Sequence, residues 1–139
     1  MEVLAVPCVS SADHLREQMQ KLRLLCRGTD QGENLMPNVM SADLAPQRRF
    51  ATPVSTHLDI WRALHDQTGV LFDLIYAPRT FEIILSHCSQ FTTSEHVSKL
   101  NPKALQYWLP GENVLYYHCG GVEGNESQLR RYKSKGMLV

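Results

Sequence analysis

The residues best suited to chemistry lie between positions 114 and 128. A short apolar run there ends at His118 and Cys119, and Gly120 and Gly121 follow directly. A third glycine, Gly124, precedes a helix start. Glycines let backbone N–H groups approach a ligand closely, and a helix N-terminus favours negative charge. The segment is therefore predicted to be a strand, a glycine-rich turn and a helix N-terminus that could contact a phosphate or a cofactor ring.

Other interpretations of this turn remain open, including a tight turn with no ligand. One of His118 and Cys119 should face a ligand and the other the packing of the sheet, because side chains alternate along a strand. Cys119 as a nucleophile would need a base and an orienting group, which the sequence does not single out. A metal site is a further alternative, although its candidate ligands match no zinc spacing; they are His87, Cys88, His96, His118 and Cys119.

Composition places the chain among ordinary globular proteins. Its 139 residues are 43% hydrophobic and 20% charged, which suits one domain with a real core. Fourteen basic residues balance fourteen acidic ones, so no net field recruits nucleic acid or anionic lipid. No apolar run is long enough to span a membrane. The four cysteines have no CxxC spacing and no signal peptide precedes them, so we expect reduced thiols in a soluble, intracellular protein.

The periodicity of the sequence predicts an α/β fold with a parallel sheet. Strands are expected over residues 3–6, 70–76 and 114–117, and each is followed by a helix. Polar, irregular stretches interrupt this order over about residues 29–54 and 89–113, and the second of them contains a possible short helix over 101–108. The N-terminal strand begins almost at once, which suggests a chain that continues upstream.

Helix ends and buried faces follow from capping residues and spacing. Three pairs fit capping boxes: Ser10 with Asp13, Thr56 with Asp59, and Asn125 with Gln128. Pro78 suits the first position of a helix, and glycines at 28, 69 and 136 should end helices. The predicted buried side chains are Leu15, Met19, Leu22 and Cys26, then Leu58, Trp61 and Leu64, then Phe81, Ile84, Leu85 and Cys88, and finally Leu129 and Tyr132.

Two of these segments resemble the pyridoxal-phosphate enzymes of the ACC deaminase/D-cysteine desulfhydrase family. Residues 68–76, TGVLFDLIY, are similar to the family's TG-(apolar)-LDPVY segment. Residues 114–121, VLYYHCGG, are similar to its HTGG or HLGG segment. Residues 124–132 resemble the closing helix of one branch, and residues 6–8 with 13–15 fit the strand and helix that open the last third. The resemblance covers nearly all of this chain but only the C-terminal part of the family's length.

The resemblance implies a fold type II enzyme with a partial three-layer parallel sheet, a small amino-acid substrate and pyridoxal 5'-phosphate as cofactor. It gives Tyr76 a contact with substrate and places Ala77, Cys119, Gly120 and Gly121 beside the cofactor ring. Ala77 and Cys119 differ from the residues that both the deaminases and the desulfhydrases carry at these places. The interval between the two segments holds an insertion over about residues 89–113.

A Schiff-base lysine is not recognisable in this sequence. The five lysines, Lys21, Lys99, Lys103, Lys133 and Lys135, lie in predicted helices or polar loops and in no matching motif. The chain is thus expected to be the C-terminal portion of a lyase or deaminase and to be inactive alone, with a homodimer as one option for the full-length protein. The alternatives are a non-catalytic remnant that depends on a partner chain and a small-anion-binding α/β domain that uses the turn at 120–124.

Overall fold

The computed structural model describes residues 3–27, 36–87 and 115–138. Within them the order of elements is β1 (Leu4–Ala5), α1 (Ala12–Arg27), β2 (Asn38–Val39), α2 (Ser55–Thr68), α3 (Tyr76–His87) and α4 (Asn125–Ser134). A 3-10 turn over Val122–Gly124 leads into α4. The predicted insertion over 89–113, its possible short helix, and Gly28, Cys88 and Val114 lie outside the described residues.

The two short strands form a parallel pair in which Leu4 is opposite Asn38 and Ala5 is opposite Val39. The Met40 N–H donates to the Ala5 carbonyl at 2.9 Å and extends the pairing by one residue. The chain is therefore mixed α/β, with four α-helices and one two-stranded parallel sheet among the described residues. β2 lies inside the stretch that was predicted to be irregular, because two paired residues are too short to leave a periodic signal.

The other two predicted strands are wrong as far as the structure describes them. Residues 70–75 form a compact turn before α3, and residues 115–121 are irregular. The apolar character of 70–76 reflects burial in a turn, with Phe72 and Leu74 almost inaccessible, because a short apolar run does not distinguish a strand from another buried segment. A three-layer sheet does not appear in the described part of the chain.

Helix caps follow the predicted places only in part. Ser11, not Ser10, caps α1, since its hydroxyl accepts the His14 N–H at 3.2 Å. α2 begins after Val54 without a side-chain cap, so the Thr56–Asp59 pair is not used. Gly69 ends α2 as predicted, in a left-handed conformation with φ 69°.

The position of Pro78 in α3 differs from the prediction, whereas the end of the C-terminal helix agrees with it. Pro78 is the third residue of α3, where its missing N–H still falls among the unpaired donors of the first turn. α4 ends at Ser134, and Gly136 follows with φ 69°, as predicted.

The core lies between α2 and α3. Ile60 and Leu64 of α2 pack with Phe72, Phe81 and Leu85, as members of one buried cluster. The buried faces predicted for these two helices are thus confirmed, apart from the partly buried Trp61, whose indole N–H donates to the Phe72 carbonyl at 2.8 Å.

Tyr132 anchors α4 in the core. Helix α1, by contrast, is only partly buried. Tyr132 is fully buried against Leu58 and Leu74, with Leu129 beside it. On α1 the predicted stripe is wrong in its second half, because Leu22 is 59% exposed and Cys26 is also exposed. Among the described residues, no helix has both the length and the apolar character needed to cross a membrane.

Candidate functional site

The turn before α3 is built around the Asp73 carboxylate. Asp73 is 2% exposed, and its two oxygens accept the backbone N–H groups of Ile75, Tyr76 and Ala77. These donors belong to the start of α3, where a helix has no carbonyl partners of its own. A negative charge there is also favoured by the helix dipole. Asp73 therefore fixes the place at which Tyr76 leaves the turn.

The segment at 115–121 packs directly on this turn. The His118 imidazole Nε2 accepts the Asp73 N–H at 3.2 Å, and its ring meets the Phe72 ring edge-on at 5.6 Å. Tyr116 lies 5.8 Å from Phe72 and 5.3 Å from Phe81, measured between ring centroids. The same Nε2 lies 3.5 Å from the Asp73 carboxylate.

Asn125 joins the same turn from the first residue of α4. Its side-chain oxygen accepts the Leu74 N–H at 2.7 Å and its NH2 group donates to the Phe72 carbonyl at 2.8 Å. Asn125 is buried. It supplies the acceptor for the Leu74 N–H and shares the Phe72 carbonyl with the Trp61 indole. The predicted capping box of Asn125 with Gln128 is wrong, because Gln128 instead donates to the Ala51 carbonyl at 3.1 Å.

The glycine turn is exposed and lies beside Asp73. Gly120 and Gly121 have φ angles of 103° and 97°, a region that side chains disfavour. A Cβ on Gly121 would stand 3.4 Å from the Asp73 Cβ, whereas one on Gly120 would meet no atom within 4 Å. Cys119 is exposed, so His118 faces the packing and Cys119 faces outward, with no sheet involved. Cys119 and Gly120 thus leave an open surface on which a flat ring could lie.

The remaining predicted site residues point to different places. Ala77 is fully buried in the α2–α3 core, so its role beside a cofactor stays a prediction from the resemblance. Tyr76 is 46% exposed, and its ring lies 5.7 Å from Phe50. Both aromatic rings line a narrow crevice beside the start of α3. The crevice is lined by Tyr76 and by no residue of the glycine turn, so Tyr76 and the turn lie at different sides of the Asp73 turn.

A buried ionic cluster lies next to this crevice and was not predicted. The Glu82 carboxylate binds Arg48 at 2.9 Å through one oxygen, and His57 at 2.9 Å and the Arg79 guanidinium through the other. Burial by itself raises the Glu82 pKa, but the hydrogen bonds from His57, Arg48 and Arg79 outweigh it and lower the pKa to about 2. A signal was present, since Glu82 interrupts the apolar run 81–85, and a buried acid needs partners.

Two further titratable groups near the Asp73 turn are poor nucleophiles or bases. Burial raises the pKa of the Cys8 thiol, which lies 3.2 Å from the Thr80 hydroxyl. Burial, together with the Asp73 charge, raises the pKa of Tyr116 to about 12. Both groups therefore stay protonated at neutral pH, and because the thiolate is the reactive form, Cys8 is a packing residue.

Within the described residues, the candidate metal ligands do not form a metal site, and the lysines are exposed. No group of three or more histidine, cysteine or acidic side chains that could hold a metal ion occurs within the described residues; Cys88 and His96 lie outside them. Lys133 and Lys135 are exposed at the far end of α4, and Lys21 is exposed on α1. Lys99 and Lys103 are not among the described residues.

No protein-family model, no curated protein and no solved structure matches the chain.

Proposed function

We propose that this chain supplies the substrate-facing part of a pyridoxal-phosphate-dependent lyase or deaminase acting on a small amino acid. One observation carries the proposal. The two segments with family-like sequences, 68–76 and 114–121, lie about forty residues apart in the chain, yet their described residues pack against each other through Asp73, His118 and Gly121. Two motifs that serve one cofactor must lie close together in space, and the contact between these segments supports the proposal.

The roles of the residues follow from their positions. Tyr76, half exposed at the start of α3, would contact the substrate. Cys119 and Gly120 would lie against the cofactor ring, because their surface is open and Gly120 carries no side chain. Gly121 lets the turn approach Asp73. When bound, the cofactor would supply the electron sink for proton removal beside its imine carbon. The described lysines, Lys21, Lys133 and Lys135, lie in no segment that resembles a Schiff-base motif.

The test is binding of 4'-deoxypyridoxine 5'-phosphate to the purified chain, measured by calorimetry. This probe keeps the ring and phosphate but has no aldehyde, so it cannot form imines with surface lysines. We expect saturable binding that Cys119→Phe weakens at least tenfold, because the larger side chain covers the ring surface. Cys26→Phe, on another exposed cysteine, is the matched control and should bind as the unaltered chain does. No binding at millimolar probe, or equal losses in both variants, would refute the proposal.

A second candidate, a fragment that depends on a partner chain, is favoured by α1. Leu22 and Leu25 of this helix are 59% and 82% exposed, which is unusual for two neighbouring leucines. Light scattering of the purified chain and of a Leu25→Glu variant tests it. Self-association that the variant abolishes would support the candidate, and a monomer in both cases would count against it.

A further inference from the structure

A narrow crevice beside the start of α3 has a chemistry of its own. Its walls include Cys8, Arg48, Arg49, Phe50, Tyr76 and Arg79. Its enclosed part offers only about 10 Å³ to water-sized groups, and it opens to solvent within a total space of about 330 Å³. A space of that size accepts one small polar group, while the remainder of a ligand would stay in the open part.

The charges around the crevice are unbalanced. Arg48 and Arg79 share a single carboxylate, that of Glu82, and guanidinium groups stay protonated at all ordinary pH values. Arg49 adds a third positive charge at the exposed rim, and it has no side-chain partner among the described residues. The nearby Asp73 carboxylate is hydrogen-bonded to the N–H groups of α3, so three guanidiniums stand against two carboxylates. The crevice therefore carries a net positive charge, partly shielded from water.

Unused hydrogen-bond donors accompany that charge. A guanidinium has five N–H donors. Within the described residues, Arg48 uses its Nε and Nη2 groups on Glu82, and Arg79 uses Nη1 on Glu82 and the Pro46 carbonyl. The other donors of both groups, and those of Arg49, remain. The paired rings of Phe50 and Tyr76 form an apolar wall next to them.

We propose that this crevice binds the carboxylate of a small molecule. A carboxylate is flat and matches the planar fork of arginine donors. The enclosed space of about 10 Å³ holds at most one of its oxygens, and the other oxygen would lie in the open part beside the arginines. Phe50 and Tyr76 contact the carbon stem, and Arg49 closes the rim. The anion site follows from the crevice alone; its identification as the place of the amino-acid substrate's own carboxylate rests on the proposed function.

Amide NMR titration of the whole chain tests the site at constant ionic strength. Propionate should shift the signals of residues 48–52 and 74–76 saturably, and neutral propionamide should not. Arg49→Gln should weaken propionate binding at least fivefold, while Arg62→Gln, an exposed arginine of α2, should change it less than twofold. Equal shifts with propionamide, equal losses in both variants, or tighter binding of phosphate would overturn the proposal. Propionate binding without deoxypyridoxine phosphate binding would refute only the proposed function.

Discussion

Replacing Glu82 with glutamine should reveal how much the buried ionic cluster stabilises the fold. Glu82 is 6% exposed and holds Arg48, His57 and Arg79. Its pKa falls from 4.5 to about 2. At about 1.4 kcal/mol for each tenfold change in proton affinity, this corresponds to about 3 kcal/mol at neutral pH. Glu82→Gln removes the counter-charge of Arg79 and of the partly buried Arg48, and this loss is part of the same contribution of about 3 kcal/mol.

The pH dependence of this effect has a definite sign. Because the folded-state pKa of Glu82 lies below the unfolded one, the stabilisation is fully present above about pH 5 and is lost as the pH falls from 4.5 towards 2. The free energy of unfolding of the Glu82→Gln variant lacks this contribution at any pH. The difference between the two proteins should therefore be about 3 kcal/mol at pH 7 and should shrink steadily below pH 4.5.

Urea unfolding followed by circular dichroism between pH 7 and pH 2.5 measures both free energies. The control is Glu126→Gln, which removes an exposed carboxylate that pairs with Arg130 at 2.6 Å on α4. Exposed pairs of this kind are worth about 0.5 kcal/mol or less, so the control should unfold almost as the unaltered chain does. A Glu82→Gln cost below about 1 kcal/mol, or one of equal size at pH 7 and pH 2.5, would refute the assigned role of the cluster.

Three further outcomes follow from the turn and its neighbours. Asn125→Ala leaves the buried Leu74 N–H without its partner, while the Phe72 carbonyl keeps the Trp61 indole, so thermal unfolding should show a loss of about 1–3 kcal/mol; a loss below about 0.5 kcal/mol would contradict that role. Gly69→Ala places a side chain at φ 69° in open space, and urea unfolding should show a cost of about 1 kcal/mol; an unchanged midpoint would show that the helix end relaxes. Cys119 is exposed whereas burial raises the pKa of Cys8, so alkylation followed by peptide mass spectrometry should label Cys119 at least tenfold faster, and equal rates would refute this placement.

The helices were largely predictable from the sequence, and the two wrong strand predictions have a common origin. The helices over 55–68 and 76–87, their apolar faces and the stop at Gly69 all follow from spacing and backbone preference, which act within a few residues. The two strands that failed, over 70–76 and 114–117, were assigned from apolar content alone. A β-strand requires hydrogen bonds to a neighbouring strand, and the sequence does not directly show which segments pair.

The sequence alone predicts the helices and the two family-like segments, the second of which contains Gly120 and Gly121. Only the tertiary structure showed that these segments meet at Asp73, that Asn125 reaches back to residues 72–74 instead of capping its own helix, and that Glu82 gathers two arginines and a histidine. The cause is the distance along the chain over which each kind of interaction acts. Helix periodicity and glycine conformations are local, as is the pairing of Arg79 with Glu82 three residues later. The other buried polar groups take whichever partner the packing brings to them, from 25 residues away for His57 and Glu82 to 53 for Asn125 and Phe72.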